Sequence, residues 1–189
     1  MQSAELLALF QETGAICYGS FIGKSGEEYS IETDLRNSML TYKNAITLGE
    51  KLYHTIKNRL GYFRPVIGVP ETGSFLANFI NYAFYKETDC DFYPNMLRAL
   101  PKEYQASSNS VYTVLPLNGQ QEYILVEDDV VTGKTLVKYL DQAISKGIKV
   151  VAVVSVFGRK KADAVLKYCD NNNITYFELI NVDELSQEV

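Results

Sequence analysis

The stretch Tyr123-Ile-Leu-Val-Glu-Asp-Asp-Val-Val-Thr-Gly-Lys-Thr-Leu136 constrains this chain more than any other. Four apolar residues run straight into three carboxylates; a short Thr/Gly/Thr loop follows, and a helical pattern opens at Leu136. An apolar run of this length suits a strand buried on both faces, and the carboxylates then fall at the rim of its sheet. The loop behind them offers backbone N–H groups, two hydroxyls and one ammonium, and the helix adds its positive end, so the segment suits an anion such as phosphate. A plain strand-to-helix turn with a solvated acidic tip would use the same residues. Gly133-Lys134-Thr135 resembles the end of a P-loop, but that loop needs a glycine where Asp128 stands.

The rest of the chain reads as alternating strands and helices. Ser3 to Gln11 is a short amphipathic helix with Gly14 past its end. Ala15 to Ile22 and Glu28 to Asp34 are short strands around the Gly23-Lys24-Ser25-Gly26 turn. Thr41 to Leu60 has apolar residues at helical spacing, Val66 to Val69 is a buried-type strand, and Phe75 to Phe84 is an apolar helix. Strands are expected at 91–97, 112–115 and 123–126, and a polar loop at 101–110. A helix over Leu136 to Ile144, a β-branched strand over Lys149 to Phe157, a helix over Ala162 to Cys169 and a strand over Ile174 to Leu179 complete the order. This alternation predicts an α/β fold, a mostly parallel twisted sheet flanked by helices.

Composition narrows the function. The length suits one domain, 1–189, and no repeat or interdomain linker is visible. A net charge of -5 argues against broad nucleic-acid binding through the phosphate backbone. The isolated Cys17, Cys90 and Cys169 form neither a disulfide framework nor a metal-ligand cluster and suit a reducing, cytoplasmic setting. The N-terminus shows no signal-peptide pattern and no apolar run is long enough to span a bilayer. His54 is the sole histidine and falls on a helix face, so histidine triads and multi-histidine metal sites are not expected.

A sugar's hydroxyls held by the acidic strand end, beside a phosphate in the loop, describe a phosphorylated ribose. The segment resembles the phosphoribosyl-pyrophosphate motif of the type I phosphoribosyltransferases. Two registers fit. With Glu127 and Asp128 as the acidic pair, Thr132, Gly133, Thr135 and Leu136 take the loop and helix positions without a gap, and Asp129 replaces an aliphatic residue. With Asp128 and Asp129 as the pair, the loop is one residue short. The first register keeps the strand at its expected length and is preferred. Val66-Ile-Gly-Val-Pro-Glu-Thr-Gly-Ser-Phe75 then matches the family's pyrophosphate loop, through Glu71, Thr72 and Gly73; read alone, it is also an ordinary Gly/Pro turn before a helix.

Other segments are similar to the orotate phosphoribosyltransferases of this family. Gly19-Ser-Phe-Ile-Gly-Lys-Ser-Gly26 with Asp34-Leu35-Arg36 matches their N-terminal hood, and Lys24 takes the place of a nucleotide-contacting lysine. Ser30 and Glu32 stand where those enzymes carry a proline and an aromatic residue. Arg98, Lys102, Glu103 and Tyr104 match the catalytic loop, with Ala99 for a lysine and Gln105 for a glycine. Arg159 matches an arginine that faces the base, after Gly158 in place of aspartate. Each has a plainer alternative: a hairpin turn, a solvated loop, a basic cap after a strand.

The resemblance implies a hood over 1–36 and a core over 37–189. It further implies transfer of a phosphoribosyl group from phosphoribosyl pyrophosphate to orotate in pyrimidine nucleotide synthesis. Glu127, Asp128, Arg98 and Lys102 would carry catalysis. Asp129, Thr132, Gly133, Lys134, Thr135, Glu71, Thr72 and Gly73 would bind the donor, and Lys24 and Arg159 the base. Mg²⁺ would be held mainly by substrate and the protein would be a homodimer. Two alternatives stay open: transfer to another base or acceptor, and a non-catalytic regulator that binds phosphoribosyl pyrophosphate.

Overall fold

The computed structural model describes residues 2–22, 28–90, 92, 97, 120–159 and 161–185. Helix α1 (Gln2–Glu12) leads into an antiparallel hairpin, β1 (Ile16–Ile22) and β2 (Glu28–Thr33), and a 3-10 turn (Leu35–Met39). Then come α2 (Tyr42–Leu60), β3 (Val66–Gly68), α3 (Thr72–Thr88), β4 (Glu122–Val130), α4 (Lys134–Ser145), β5 (Lys149–Gly158), α5 (Asp163–Asn171), β6 (Thr175–Asn181) and the short α6 (Val182–Leu185). The four core strands form a parallel sheet in the order β3-β4-β5-β6. The α/β architecture is as expected, with the hairpin as a small N-terminal unit.

Two apolar layers sandwich the sheet. On one side Ile124, Val126, Ala152 and Val154 pack with Leu6 and Phe10 of α1, Leu48 and Leu52 of α2, and Leu76 and Ile80 of α3. On the other, Tyr123, Leu125 and Val153 pack with Leu136 and Leu140 of α4 and Val165 and Cys169 of α5. Alternate residues of a strand face opposite sides, so burial on both accounts for the unbroken apolar runs.

Local chemistry sets the ends of the helices. Thr41 caps α2, its hydroxyl accepting a hydrogen bond from the Asn44 N–H at 3.2 Å. Gly61 ends the same helix in the left-handed region at φ 77°. Gly49 lies where α2 meets α3, and a Cβ there would stand 2.6 Å from the backbone of Phe79. From α3, the Asn81 amide accepts from the Val66 N–H at 2.7 Å and donates to the Val66 carbonyl at 2.8 Å, so the helix is pinned to the edge of β3.

Several elements depart from expectation, and the departures cluster around the strand ends. Helices α3 and α4 begin at Thr72 and Lys134, earlier than periodicity indicates, because their first turns carry polar residues that an apolar pattern does not register. Strand β4 runs to Val130, through the carboxylates, because β5 continues to pair with it that far. The 3-10 turn and α6 have no periodic signal. The strands expected at 91–97 and 112–115 and the loop at 101–110 lie outside the described residues, apart from Phe92 and the buried Leu97.

Candidate active site

The site starts from unequal pairing along β4. On one flank β3 pairs only as far as Gly68 with Val126; on the other β5 pairs as far as Gly158 with Val130. Glu127, Asp128 and Asp129 therefore extend past β3 while remaining held by β5. Val126 packs on the α1–α3 side and Val130 on the α4–α5 side, although residues four apart in a regular strand share a face. Strand β5 breaks phase with it, since the consecutive Val156 and Phe157 enter the same layer. Asp128 and Asp129, adjacent in sequence, both line one cavity.

Glu127 is not among the residues lining that cavity. It is 9% exposed, and its Oε1 accepts a hydrogen bond from the Asp128 N–H at 3.0 Å. Burial, reinforced by the neighbouring Asp128, pushes its carboxyl up to about 9, so Glu127 is protonated at neutral pH.

The turn after β3 is built by close backbone approach. A Cβ on Gly68 would fall 1.9 Å from the Gly73 carbonyl oxygen, and one on Gly73 would meet the Val126 carbonyl oxygen at 2.8 Å. Ser74 donates from its hydroxyl to the Gly68 carbonyl at 2.9 Å and from its N–H to the Val69 carbonyl at 3.0 Å. The Pro70–Glu71 peptide is cis. This geometry brings the N-terminus of α3, which no side chain caps, up to the strand end, where Thr72 lines the cavity. The turn after β4 is similar in kind. Gly133 takes φ 74°, a Cβ there would stand 2.9 Å from Val165, and no side chain caps α4. Helix N-termini without side-chain caps suit anionic groups.

The hairpin and 3-10 turn cover this end of the sheet. The Thr33 hydroxyl donates to Oδ2 of Asp129 at 2.6 Å. Oδ1 of Asp129 is buried and accepts no hydrogen bond from a described residue. Burial raises the Asp129 carboxyl above its ordinary range, against the pull of the Thr33 hydroxyl and the Arg159 charge. Arg159 follows β5, with its guanidinium 5.7 Å from the centre of the Tyr29 ring, and Tyr29 stacks on Phe21. Arg36 binds Asp34 through Nε at 2.7 Å and Nη2 at 2.8 Å. The cavity has a volume of about 280 Å³; its lining includes Glu32, Thr33, Arg36, Thr72, Asp128 and Asp129.

Of the residues singled out in the sequence, Asp128, Asp129 and Thr72 thus share one cavity. Glu71, at the start of α3, is exposed, and Gly73 is buried in the turn. Thr132, Gly133, Lys134 and Thr135 occupy the turn and first residues of α4, and the Arg159 charge acts on Asp129. Lys24, Arg98 and Lys102, with Ala99, Glu103, Tyr104 and Gln105, lie outside the described residues. Thr33, Tyr29 and Phe157 escaped the sequence reading. No local pattern marks them, because their partners are remote in the chain.

No family model and no curated protein matches the chain by sequence. Its fold does match solved structures. Orotate phosphoribosyltransferase of Francisella tularensis superposes with a TM-score of 0.75 at 16% identity, covering 100% of this chain and 88% of that one. UMP synthase of Leishmania donovani gives 0.68 at 20% identity over 96% of this chain, which spans only 36% of that longer protein. Adenine phosphoribosyltransferase of Trypanosoma brucei, in complex with AMP, pyrophosphate and ribose-5-phosphate, gives 0.58 at 15% identity over 92% of this chain and 79% of that one. The chain therefore has the type I phosphoribosyltransferase fold. Within that fold the neighbours include enzymes named for orotate and for adenine.

Proposed function

We propose that this chain is a type I phosphoribosyltransferase that transfers the phosphoribosyl group of phosphoribosyl pyrophosphate to a ring nitrogen of a base. The observation that carries this reading is the placement of two uncapped helix N-termini, at Thr72 and Lys134, on either side of a strand end whose Asp128 and Asp129 open into one cavity. Anion sites flanking a pair of hydroxyl-accepting carboxylates match the layout of a sugar with phosphates at both ends.

The chemistry asks mainly for positioning and charge stabilisation. The lone pair of the acceptor nitrogen forms the bond to C1 of the ribose as the C1–O bond breaks. The electron pair of that bond leaves with pyrophosphate, and the proton the nitrogen carried passes to solvent. Asp128 would accept hydrogen bonds from the ribose hydroxyls. The loop from Thr132 to Thr135 would hold the 5-phosphate, and Glu71 to Gly73 the pyrophosphate. Arg98, Lys102 and Lys24 would add positive charge along the phosphates.

Mg²⁺ is the expected cofactor. Among the described residues no group of three or more His, Cys, Asp or Glu is placed to hold a metal. In this proposal the ion would be carried mainly by substrate oxygens, with Asp128 as a residue able to contribute a carboxylate ligand. When bound, the ion offsets negative charge on the pyrophosphate.

Orotate is the acceptor that the motif resemblance implies, and it belongs to this proposal. Homodimerisation belongs to it too. An exposed aromatic strip supports that part, with Tyr42 against Phe79 at 6.2 Å and Phe79 against Phe75 at 5.1 Å between ring centres. Calorimetry with phosphoribosyl pyrophosphate and Mg²⁺ tests the core reading. Binding to the wild type, lost or weakened at least tenfold in Asp128→Asn, is expected; no binding by the wild type overturns it. Binding with no pyrophosphate release for any acceptor would leave the non-catalytic regulator as the better account.

A further inference from the structure

The 3-10 turn after the hairpin holds a motif that the donor-binding account leaves unused, Asp34-Leu35-Arg36. Leu35 is buried, and the turn is fixed around it. The Asp34 N–H donates to the Ala15 carbonyl at 2.9 Å, and the Asn37 side-chain amide donates to the Gly14 carbonyl at 2.8 Å. The Asp34 carboxylate caps the turn by accepting from the Arg36 N–H at 3.1 Å. The same carboxylate grips the Arg36 guanidinium side-on, through Nε at 2.7 Å and Nη2 at 2.8 Å. An arginine on an exposed turn ordinarily keeps its rotamer freedom; this one is oriented in advance.

A guanidinium carries five N–H donors. Asp34 takes one from Nε and one from Nη2, and no described residue accepts from the other three. The side chain is 74% exposed, so those donors are open to a ligand. Arg36 lines the cavity that Thr72 and Asp128 also line. Asp34 chiefly, with a smaller contribution from Asp128, holds the guanidinium in its charged form. Thr72 opens α3, whose N-terminus has no side-chain cap. One cavity therefore meets a strand-end carboxylate, an oriented guanidinium and a helix N-terminus. The first suits a hydroxyl; the other two suit an anion with several oxygens.

We infer that Arg36 is a further donor-binding residue, whose remaining N–H groups bind the pyrophosphate of phosphoribosyl pyrophosphate together with the N-terminus of α3. The inference rests on the phosphoribosyl-transfer reading and deepens it by adding a cation from the N-terminal hairpin region to the pyrophosphate site. Asp34 and the anion use different edges of the guanidinium, so the ion pair need not break on binding. The side chain is already ordered, so little rotamer freedom is lost when the ligand arrives. As a plain surface ion pair, Asp34 with Arg36 would contribute little to stability and nothing to ligand affinity.

The test is calorimetry on the full chain with Mg²⁺ and three probes: phosphoribosyl pyrophosphate, inorganic pyrophosphate and ribose-5-phosphate. Arg36→Gln should weaken binding of the first two by about 10- to 100-fold, the loss expected for charge-assisted hydrogen bonds. Its affinity for ribose-5-phosphate should stay within about twofold of wild type, because that phosphate is assigned to the separate loop after β4. Arg36→Lys keeps the charge but loses the planar fork, and should recover only part of the lost affinity. Unchanged affinity for both pyrophosphate-bearing probes in Arg36→Gln, or an equal loss for ribose-5-phosphate, would overturn the inference. Wild-type protein that binds neither phosphoribosyl pyrophosphate nor pyrophosphate would instead remove the phosphoribosyl reading beneath it, and the inference with it.

Discussion

Thr33 donates a 2.6 Å hydrogen bond to Asp129 across a separation of 96 residues. This single bond ties the N-terminal hairpin to the end of the central strand. Its acceptor is part-buried, so removing the donor leaves a largely desolvated carboxylate without its shortest hydrogen bond. Thr33→Val should destabilise the protein by about 1–3 kcal/mol, and Thr33→Ser should restore most of the loss. Urea unfolding of the three proteins checks this. Equal midpoints for Thr33→Val and wild type would mean that the hairpin is held by other contacts.

Glu127 gives a pH signature. Its carboxyl is pushed up to about 9 in the folded chain, chiefly by burial, whereas the unfolded chain titrates near the ordinary 4.5. Below the unfolded value both states are protonated and folding carries no penalty. Between the two values the folded state must hold a proton that the unfolded state has released, so stability falls as pH rises; above about 9 the loss is complete. Glu127→Gln removes the penalty. It should leave stability near wild type at pH 4.5 and raise it by ~2–4 kcal/mol at pH 8, since each pH unit crossed between the two values costs the folded state at most about 1.36 kcal/mol. Denaturant unfolding at both pH values is the measurement. A stability difference that does not change with pH would contradict the burial argument.

Two glycines separate steric need from backbone strain. Gly61 has φ 77° and open space where a Cβ would stand, whereas Gly68 would place a Cβ 1.9 Å from the Gly73 carbonyl oxygen. Gly61→Ala should cost only the left-handed strain, roughly 1–2 kcal/mol. Gly68→Ala forces backbone apart at the turn before α3 and should cost well over ~3 kcal/mol, or prevent folding. Thermal unfolding of both variants orders them, and similar losses would refute the close-approach account of this turn.

The aromatic strip on α3 predicts an oligomer. Phe75 and Tyr82 are about half exposed, at 50% and 48%, and Leu40 and Tyr42 are more so. A charge placed there should oppose any association that buries the strip. Light scattering should give a dimer mass for the wild type and a monomer mass for Phe75→Glu. A monomeric wild type would remove the homodimer from the proposal.

Much of this architecture is legible in the chain because the relevant signals are local. Thr41 and Gly61 mark both ends of α2, and the β-branched run from Val150 to Val156 declares β5. The strand end with its carboxylates and the Gly-rich turn after β3 are also visible, since composition and order suffice to mark them. Local pattern admits Asp128 with Asp129 as one of two acidic pairs but does not decide between that and Glu127 with Asp128. Simple alternation would send neighbours to opposite faces, and the change of layer between Val126 and Val130 is a tertiary feature with no local signal. The protonated state of Glu127 depends on burial that no motif reports. Thr33 and Tyr29 reach Asp129 and Arg159 by tertiary docking of the hairpin, for which a single sequence carries no pattern.

The central claim is that phosphoribosyl transfer occurs at the Asp128 end of β4, and single-turnover pyrophosphate release tests it most directly. Wild type, Asp128→Asn and Lys102→Ala are each mixed with phosphoribosyl pyrophosphate, Mg²⁺ and, in turn, orotate and a set of other bases. The wild type should release one pyrophosphate per site. Lys102→Ala should keep donor affinity but slow release by about 10²–10³-fold, as expected for a donor to developing charge. Asp128→Asn should lose donor affinity as well as rate. Wild-type protein that binds the donor yet releases no pyrophosphate with any acceptor, or release unchanged in Asp128→Asn, would contradict the account.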